Sequence, residues 1–193
     1  MRGFIFYLMN AATKYFLKTK RLGFRSWKEE DLDLAEGLWG DAQVTHLIDA
    51  RGKLSKQEVR DKLGKEIALE KSHRIQYWPI FLLETGEHVG CCGLRPYPES
   101  ESILEIGFHI CSSHWRFGYG YEAAIATIFY AFETLRVKTL FAAHHPNNDV
   151  SRKLILKLGF NYSHDEFYEP TGLNHLSYLL QAEDYKTKQH EER

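Results

Sequence analysis

Two stretches of this chain carry residue types that can do chemistry. The first is Trp115-Arg-Phe-Gly-Tyr-Gly-Tyr-Glu-Ala123. It follows a strand-like run and opens a helical one, with Gly118 and Gly120 where the chain turns. Glycine permits a tight bend and lets a ligand approach the amides without a Cβ in the way. The first amides of a helix have no internal partner and carry partial positive charge. Together these features make an anion site, best suited to a phosphate or pyrophosphate. The second is Glu105, a lone carboxylate in the otherwise apolar run Ile103–Ile110. Burial raises the pKa of such a group, which suits a general base. Alternation places Leu104, Ile106, Phe108 and Ile110 on one face of that strand, and Ile103, Glu105, Gly107 and His109 on the other. Gly107 leaves room beside Glu105.

Other candidates read more plainly. Cys111 lies three residues before His114, but a small buried thiol at a strand end explains it better than a nucleophile does. His144 and His145 are adjacent on a strand and point to opposite faces, so no metal is assigned to them. The cysteines Cys91, Cys92 and Cys111 are odd in number and lack metal spacing, which fits a reducing cytosol.

The elements that must position these residues can be read from periodicity. Arg21–Arg25 alternates like a short strand, and Lys28–Trp39 reads as a helix. Ser55-Lys-Gln-Glu58 is a capping box opening a helix to about Lys71, with Val59, Leu63 and Ile67 inward. Strands follow at Tyr77–Glu84 and His88–Leu94 around the turn Thr85-Gly86-Glu87, then at Ile103–Ile110. A helix is expected over Gly120–Leu135, a strand at Thr139–Ala143 and a helix over Val150–Leu158. A closing hairpin spans Phe160–Tyr168 and His175–Leu180. The order predicts one α/β (α+β) domain. Its single mixed, mostly antiparallel sheet has six to seven strands and about four flanking helices. The unit from 103 to 143 is expected to be a right-handed parallel crossover. Residues 1–18 read as an N-terminal extension, 19–182 as the domain and 183–193 as a tail. The apolar run Phe4–Met9 is too short to span a membrane and reads as part of an amphipathic segment over residues 1–19, not a targeting signal.

Gly118-Tyr-Gly120-Tyr-Glu-Ala123 also fits a dinucleotide fingerprint. That motif needs its glycines directly after the strand and an acidic residue about 20 positions on. Residues 111–117 intervene here, and the later position reads Leu140-Phe-Ala-Ala-His144. The absence of a following Gly-Lys-Ser/Thr removes a nucleoside-triphosphate loop. Two glycines that merely make a turn are the plain alternative.

Leu104-Glu-Ile-Gly-Phe-His-Ile110 followed by Trp115-Arg-Phe-Gly-Tyr-Gly120 resembles the acetyl-CoA-binding motif of the GNAT superfamily of N-acetyltransferases. Trp115 stands where that pattern usually has Arg or Gln, as in the branch acting on N-terminal amines of ribosomal proteins. Asn148-Asp-Val-Ser151 with Lys157-Leu-Gly-Phe160 resembles the second signature of that branch. Thr19-Lys-Arg-Leu22, Trp27, Asp31-Leu32 and Trp39 are also similar to it, so the likeness spans about residues 19–182. The resemblance implies an enzyme that transfers acetyl from acetyl-CoA to a primary amine, through a ternary complex and with no metal. It implies pyrophosphate binding by the amides of Arg116, Phe117, Gly118, Tyr119, Gly120 and Tyr121. The pantetheine arm is expected beside main-chain groups of Phe108 and Ile110, with His109 a cofactor-side neighbour. Asn148 is expected to bond that arm or support the loop, and as a helix N-cap it can do both. Glu105 is implied as general base or water-positioning group; the alternative is a carboxylate paired with an arginine or binding the acceptor amine. A tyrosine common seven residues after the Asn is Ile155 here. Ser151, in cofactor contact, is the substitute proton donor, or else a capping hydroxyl; Tyr168 is a weaker candidate.

With 25 basic and 26 acidic residues among 193, the chain has a net charge of −1, which gives no general pull towards nucleic acid or membrane. The expected acceptor is a protein N-terminal α-amine or a small amine, met in the cytoplasm by a monomer or homodimer. The helix pair at 28–71 and the hairpin at 160–180 are expected to wall it. A non-catalytic acyl-CoA-binding module is the alternative class.

Overall fold

The computed structural model describes residues 7–8, 14–98 and 100–191. Most of the amphipathic segment read over residues 1–19 lies outside them. Among the described residues nine strands form one sheet in the order β1-β2-β3-β4-β5-β6-β7-β9-β8. They are β1 (Tyr7–Leu8), β2 (Leu17–Lys18), β3 (Leu22–Phe24), β4 (Tyr77–Leu82), β5 (His88–Tyr97), β6 (Ser100–Ile110), β7 (Thr139–His144), β8 (Asn161–Tyr168) and β9 (Leu173–Gln181). The helices are α1 (Leu32–Trp39), α2 (Ala42–Thr45), α3 (Lys56–His73), α4 (Tyr119–Phe129), α5 (Asp149–Lys157) and α6 (Ala182–Glu191).

The sheet is mixed and mostly antiparallel, as the sequence predicts, but it exceeds six to seven strands, and six helices replace the expected four. The extra elements are short or terminal. Leu17 and Lys18, read within the N-terminal extension, pair with β3 as Leu17↔Phe24, and Leu17 is fully buried. Two residues are too few to show alternation. The expected Gly120–Leu135 helix ends its regular part at Phe129 and closes with a π-helical turn over Tyr130–Thr134.

Each face of the sheet holds an apolar cluster. One packs under α4 and includes Trp78, Leu94, Ile106, Ala123, Ile128, Leu140 and Phe160. The other lies under α1 and α3 and includes Trp27, Leu38, Trp39, Val59, Leu63, Tyr77 and Cys91. The alternation of β6 therefore has a physical meaning: Ile106 enters the α4 cluster, while Glu105, Gly107 and His109 meet the α3 side. The only parallel pairing among the described residues is between β6 and β7. It covers three residue pairs, Ile103↔Thr139, Leu104↔Leu140 and Glu105↔Phe141. Beyond Glu105 the two strands part. β6 stays paired to β5 as far as Ile110, and β7 stays paired to β9 as far as His144. The edge of Ile106–Ile110 that faces β7 is left without a strand.

Candidate active site

The cleft opens where β6 and β7 part. Its lining includes Glu105, Gly107, Phe108 and His109 from β6, Ala142–His144 from β7, and Asn148, Ser151 and Ile155 around α5. Leu47, Ile48 and Lys62 wall one side, and Glu166, Phe167, Tyr168 and His175 of the β8–β9 hairpin wall another. Ala50 N–H donates to Pro170 O at 2.8 Å, joining the two walls.

Glu105 sits at the fork itself. Tyr77 Oη donates to Glu105 Oε1 at 2.7 Å. Burial raises the carboxyl pKa; the Tyr77 hydrogen bond and the Arg95 charge pull it back only in part, and Glu166 adds to the rise. Glu105 retains some contact with solvent, yet its carboxylate lies deep among protein atoms, and that density sets its desolvation. The space over Gly107 expected to be open is filled. A Cβ at Gly107 would lie 2.3 Å from the Tyr77 ring and hydroxyl. Tyr77, Gly93 and Gly107 are opposite one another across β4, β5 and β6, so the tyrosine reaches Glu105 by crossing the glycine.

Around this pair stands a charged frame. The Arg95 guanidinium lies 3.9 Å from the Tyr77 ring centroid and pairs with Glu66, which is 1% exposed. Glu66 also accepts the Tyr77 N–H at 2.9 Å. The Lys62 Nζ lies 5.1 Å from the Trp39 ring centroid. His109 accepts from Trp39 Nε1 at its Nδ1 (3.1 Å), and burial holds its pKa well below the usual histidine value. That neutral ring lies among Trp39, Tyr77 and Cys91, so its side chain belongs to the α1–α3 side of the site.

The glycine turn lies at the far end of β6. Gly118 adopts φ +79° and is the N-cap of α4, with no side-chain cap bond. Gly120 lies inside the helix, where a Cβ would make ordinary contacts with Ile110 and Leu154, so only Gly118 needs a left-handed backbone. Arg116 also has positive φ, +69°. The first bond into the helix runs from Glu122 N–H to Gly118 O, so the amides of Tyr119, Gly120 and Tyr121 precede the ladder. Phe117 is 59% exposed and stacks on Tyr119. Trp115 Nε1 donates to Ile110 O at 2.8 Å, tying the turn to the strand end.

Sequence reasoning missed what holds this turn. Glu122 is buried and accepts from Thr19 Oγ1 (2.6 Å), Arg21 N–H (2.9 Å) and Arg21 Nε (2.6 Å). Arg21 also donates to Phe117 O at 3.0 Å and covers the Tyr119 ring. The only signal was a glutamate in an otherwise apolar helix start. Tyr77, Lys62, Glu66 and Arg95 were missed as well.

Asn148 is the N-cap of α5, its Oδ1 accepting from Ser151 N–H at 3.0 Å. The Ser151 hydroxyl makes no hydrogen bond among the described residues and borders the cleft. Ile155 is buried in the cleft wall. Burial and the Glu105 charge raise the Tyr168 pKa. Cys111 is half-buried with its thiol pushed up to about 11, an inert form at neutral pH. His144 bonds Tyr178 Oη while His145 packs on His175, so the adjacent histidines diverge. Among the described residues no cluster of three or more His, Cys, Asp or Glu could hold a metal ion.

The fork, the free strand edge and the uncapped helix start can be set beside known proteins. The model of the GNAT acetyltransferase domain matches residues 21–161. YkkB of Bacillus subtilis, an uncharacterised protein, is 31% identical over 157 residues, 80% of this chain and 89% of that protein. A GNAT-family acetyltransferase from Bacillus anthracis superposes with a TM-score of 0.74 at 23% identity, covering 86% of this chain and 98% of its own. RimL, a ribosomal L7/L12 α-N-protein acetyltransferase in complex with coenzyme A, superposes with a TM-score of 0.67 at 15% identity, covering 84% and 94%. The family match spans most of the chain and includes the fork and the glycine turn: this chain belongs to the GNAT family of acetyltransferases.

Proposed function

We propose that the protein is an acetyl-CoA-dependent N-acetyltransferase that transfers acetyl directly to a primary amine. The observation that carries this reading is the position of Glu105. The β6–β7 ladder ends at this carboxylate of raised pKa, and the free edge of β6 runs from it to the uncapped start of α4. A long anionic thioester fits such a track: its pyrophosphate at the amides of Arg116–Tyr121 and its arm along main-chain groups of Phe108 and Ile110. When bound, acetyl-CoA supplies the acetyl group as a thioester.

The residues of the chain do the rest. Glu105 takes the proton that the amine must lose, directly or through water. Tyr77 holds the carboxylate in position. Asn148 fixes the start of α5 and presents Ser151 to the cleft. Ser151 is the assigned proton donor to the departing thiolate, with Tyr168 on the opposite wall as the second hydroxyl. The acceptor is a protein N-terminal α-amine or a small amine. No helix among the described residues is long and apolar enough to cross a membrane; we assign the protein to the cytoplasm.

One observation favours the alternative of a non-catalytic acyl-CoA-binding module: Ile155 puts no hydroxyl where the pattern this chain resembles commonly has a tyrosine. Thiol release separates the two. The purified protein should be stabilised by acetyl-CoA and not by NAD, and should release CoA thiol steadily with at least one member of an amine panel. Stabilisation with no thiol release by any amine would leave only the binding module. No stabilisation by acetyl-CoA would remove both readings.

A further inference from the structure

Lys62 is not used by the mechanism above. It sits on the inward side of α3 and borders two adjoining clefts, the one that holds Glu105 and a second one along α3; Ile48, Arg95 and Tyr168 border both. The charges facing it are nearly all taken. Arg95 pairs with Glu66, Asp49 pairs with Arg51, Glu166 accepts from Tyr97 and lies beside His164, and Glu105 accepts from Tyr77. His109 is neutral. Lys65, the remaining cation along the second cleft, adds to the positive field. Lys62 itself has no carboxylate within ion-pair distance among the described residues and rests over the Trp39 ring instead. Burial, with the Arg95 charge beside it, works against its protonated form. A half-buried ammonium whose neighbouring carboxylates Glu66, Asp49 and Glu105 are each engaged by another residue is under-compensated, and a ligand anion placed beside it would relieve that cost.

We propose that the acceptor is a small amine that carries its own anionic group, and that Lys62, with Arg95 beside it, binds that group and determines specificity. This rests on the acetyltransferase reading and narrows its acceptor. The Ala50–Pro170 bridge across the two walls favours a compact acceptor over an extended polypeptide. Carboxylate and phosphate share the required chemistry. The amine would enter over the second cleft, anion towards Lys62 and nitrogen towards Glu105.

The test is a matched acceptor panel with the full-length protein. It contains α-amino acids, the corresponding amino acid amides, phosphoethanolamine against ethanolamine, and short neutral peptides. Thiol release should favour an anionic member over its neutral twin by about tenfold or more in kcat/KM, mostly through KM. Lys62→Met should abolish that preference and Lys62→Arg should keep most of it, with acetyl-CoA stabilisation retained in both as the check on folding. The carboxylate and phosphate arms identify which anion is used. Equal or better use of the neutral twins or of the peptides, or a preference that survives Lys62→Met, would overturn the proposal. So would retained acetyl-CoA stabilisation with no acetylation of any anionic amine. Loss of acetyl-CoA stabilisation in the unmodified protein would instead remove the underlying acetyltransferase reading.

Discussion

Glu105 and Tyr77 act as one unit, and the chemistry of each depends on the other. The Tyr77 hydroxyl stabilises the charged form of Glu105, against the burial that raises its pKa. Tyr77→Phe removes that bond, so the Glu105 pKa should rise further. The acidic limb of the kcat/KM profile should then move to higher pH, which a pH series on both proteins checks. Glu105→Gln should also change stability. A carboxyl whose folded pKa is raised stabilises the fold below its unfolded pKa, and that contribution is lost as pH rises through the folded value. At pH 7 the glutamine variant should therefore melt at or above the parent, by about 2–4 °C for each kcal/mol regained. Gly107→Ala should do the reverse, because its Cβ would strike the Tyr77 ring. A cost of about 1–3 kcal/mol is expected from such overpacking, read as a lower melting temperature together with lost activity. Glu105 was legible in the sequence because a charge interrupted an apolar alternation. Tyr77 was not, because it is 28 residues away and only the register across β4, β5 and β6 brings it over Gly107.

The start of α4 is held from outside the helix. Three donors from Thr19 and Arg21 converge on Glu122, and Arg21 reaches on to the Phe117 carbonyl. Glu122→Gln turns one of those acceptor oxygens into a donor facing Arg21 or Thr19. It should lower stability by about 1–3 kcal/mol and raise the KM for acetyl-CoA, while leaving the position of the acidic limb in place. Denaturant melts and acetyl-CoA titrations check the two halves of that statement. The glycine turn itself was readable, since Gly118 needs a left-handed backbone and opens a periodic helix. Its fastening was not, since about a hundred residues separate Arg21 from Glu122. The splaying of β6 from β7 was equally hidden. Both strands read as apolar runs, and nothing in either run marks Glu105 as the last paired residue.

Across the whole molecule, the two apolar clusters hold the sheet from both faces, and two histidines of lowered pKa make its stability depend on pH. His88 lies between Trp27 and Phe81 with its Nε2 unpartnered, and burial lowers its pKa to about 4. Burial also lowers that of His175 to about 4. The unfolded chain binds these protons first. The stability that the neutral rings contribute is full above about pH 6.5 and falls as pH drops towards 4. Melting temperatures across that window should therefore decline, and His88→Phe should flatten the decline. The domain architecture was largely legible because strand and helix periods alternate cleanly from Tyr77 onward. The two-residue strands β1 and β2 were missed, because pairing rather than pattern creates them, whereas β3 was read from its alternation. The central claim joins the scales: Glu105, at the end of the β6–β7 ladder, accepts the amine proton during acetyl transfer. The most direct test is kcat/KM for amine-dependent thiol release from acetyl-CoA, measured from about pH 5 to 9 for the parent and for Glu105→Gln. The expected result is a fall of about a hundredfold or more together with loss of the acidic limb. An unchanged kcat/KM across that range would contradict it.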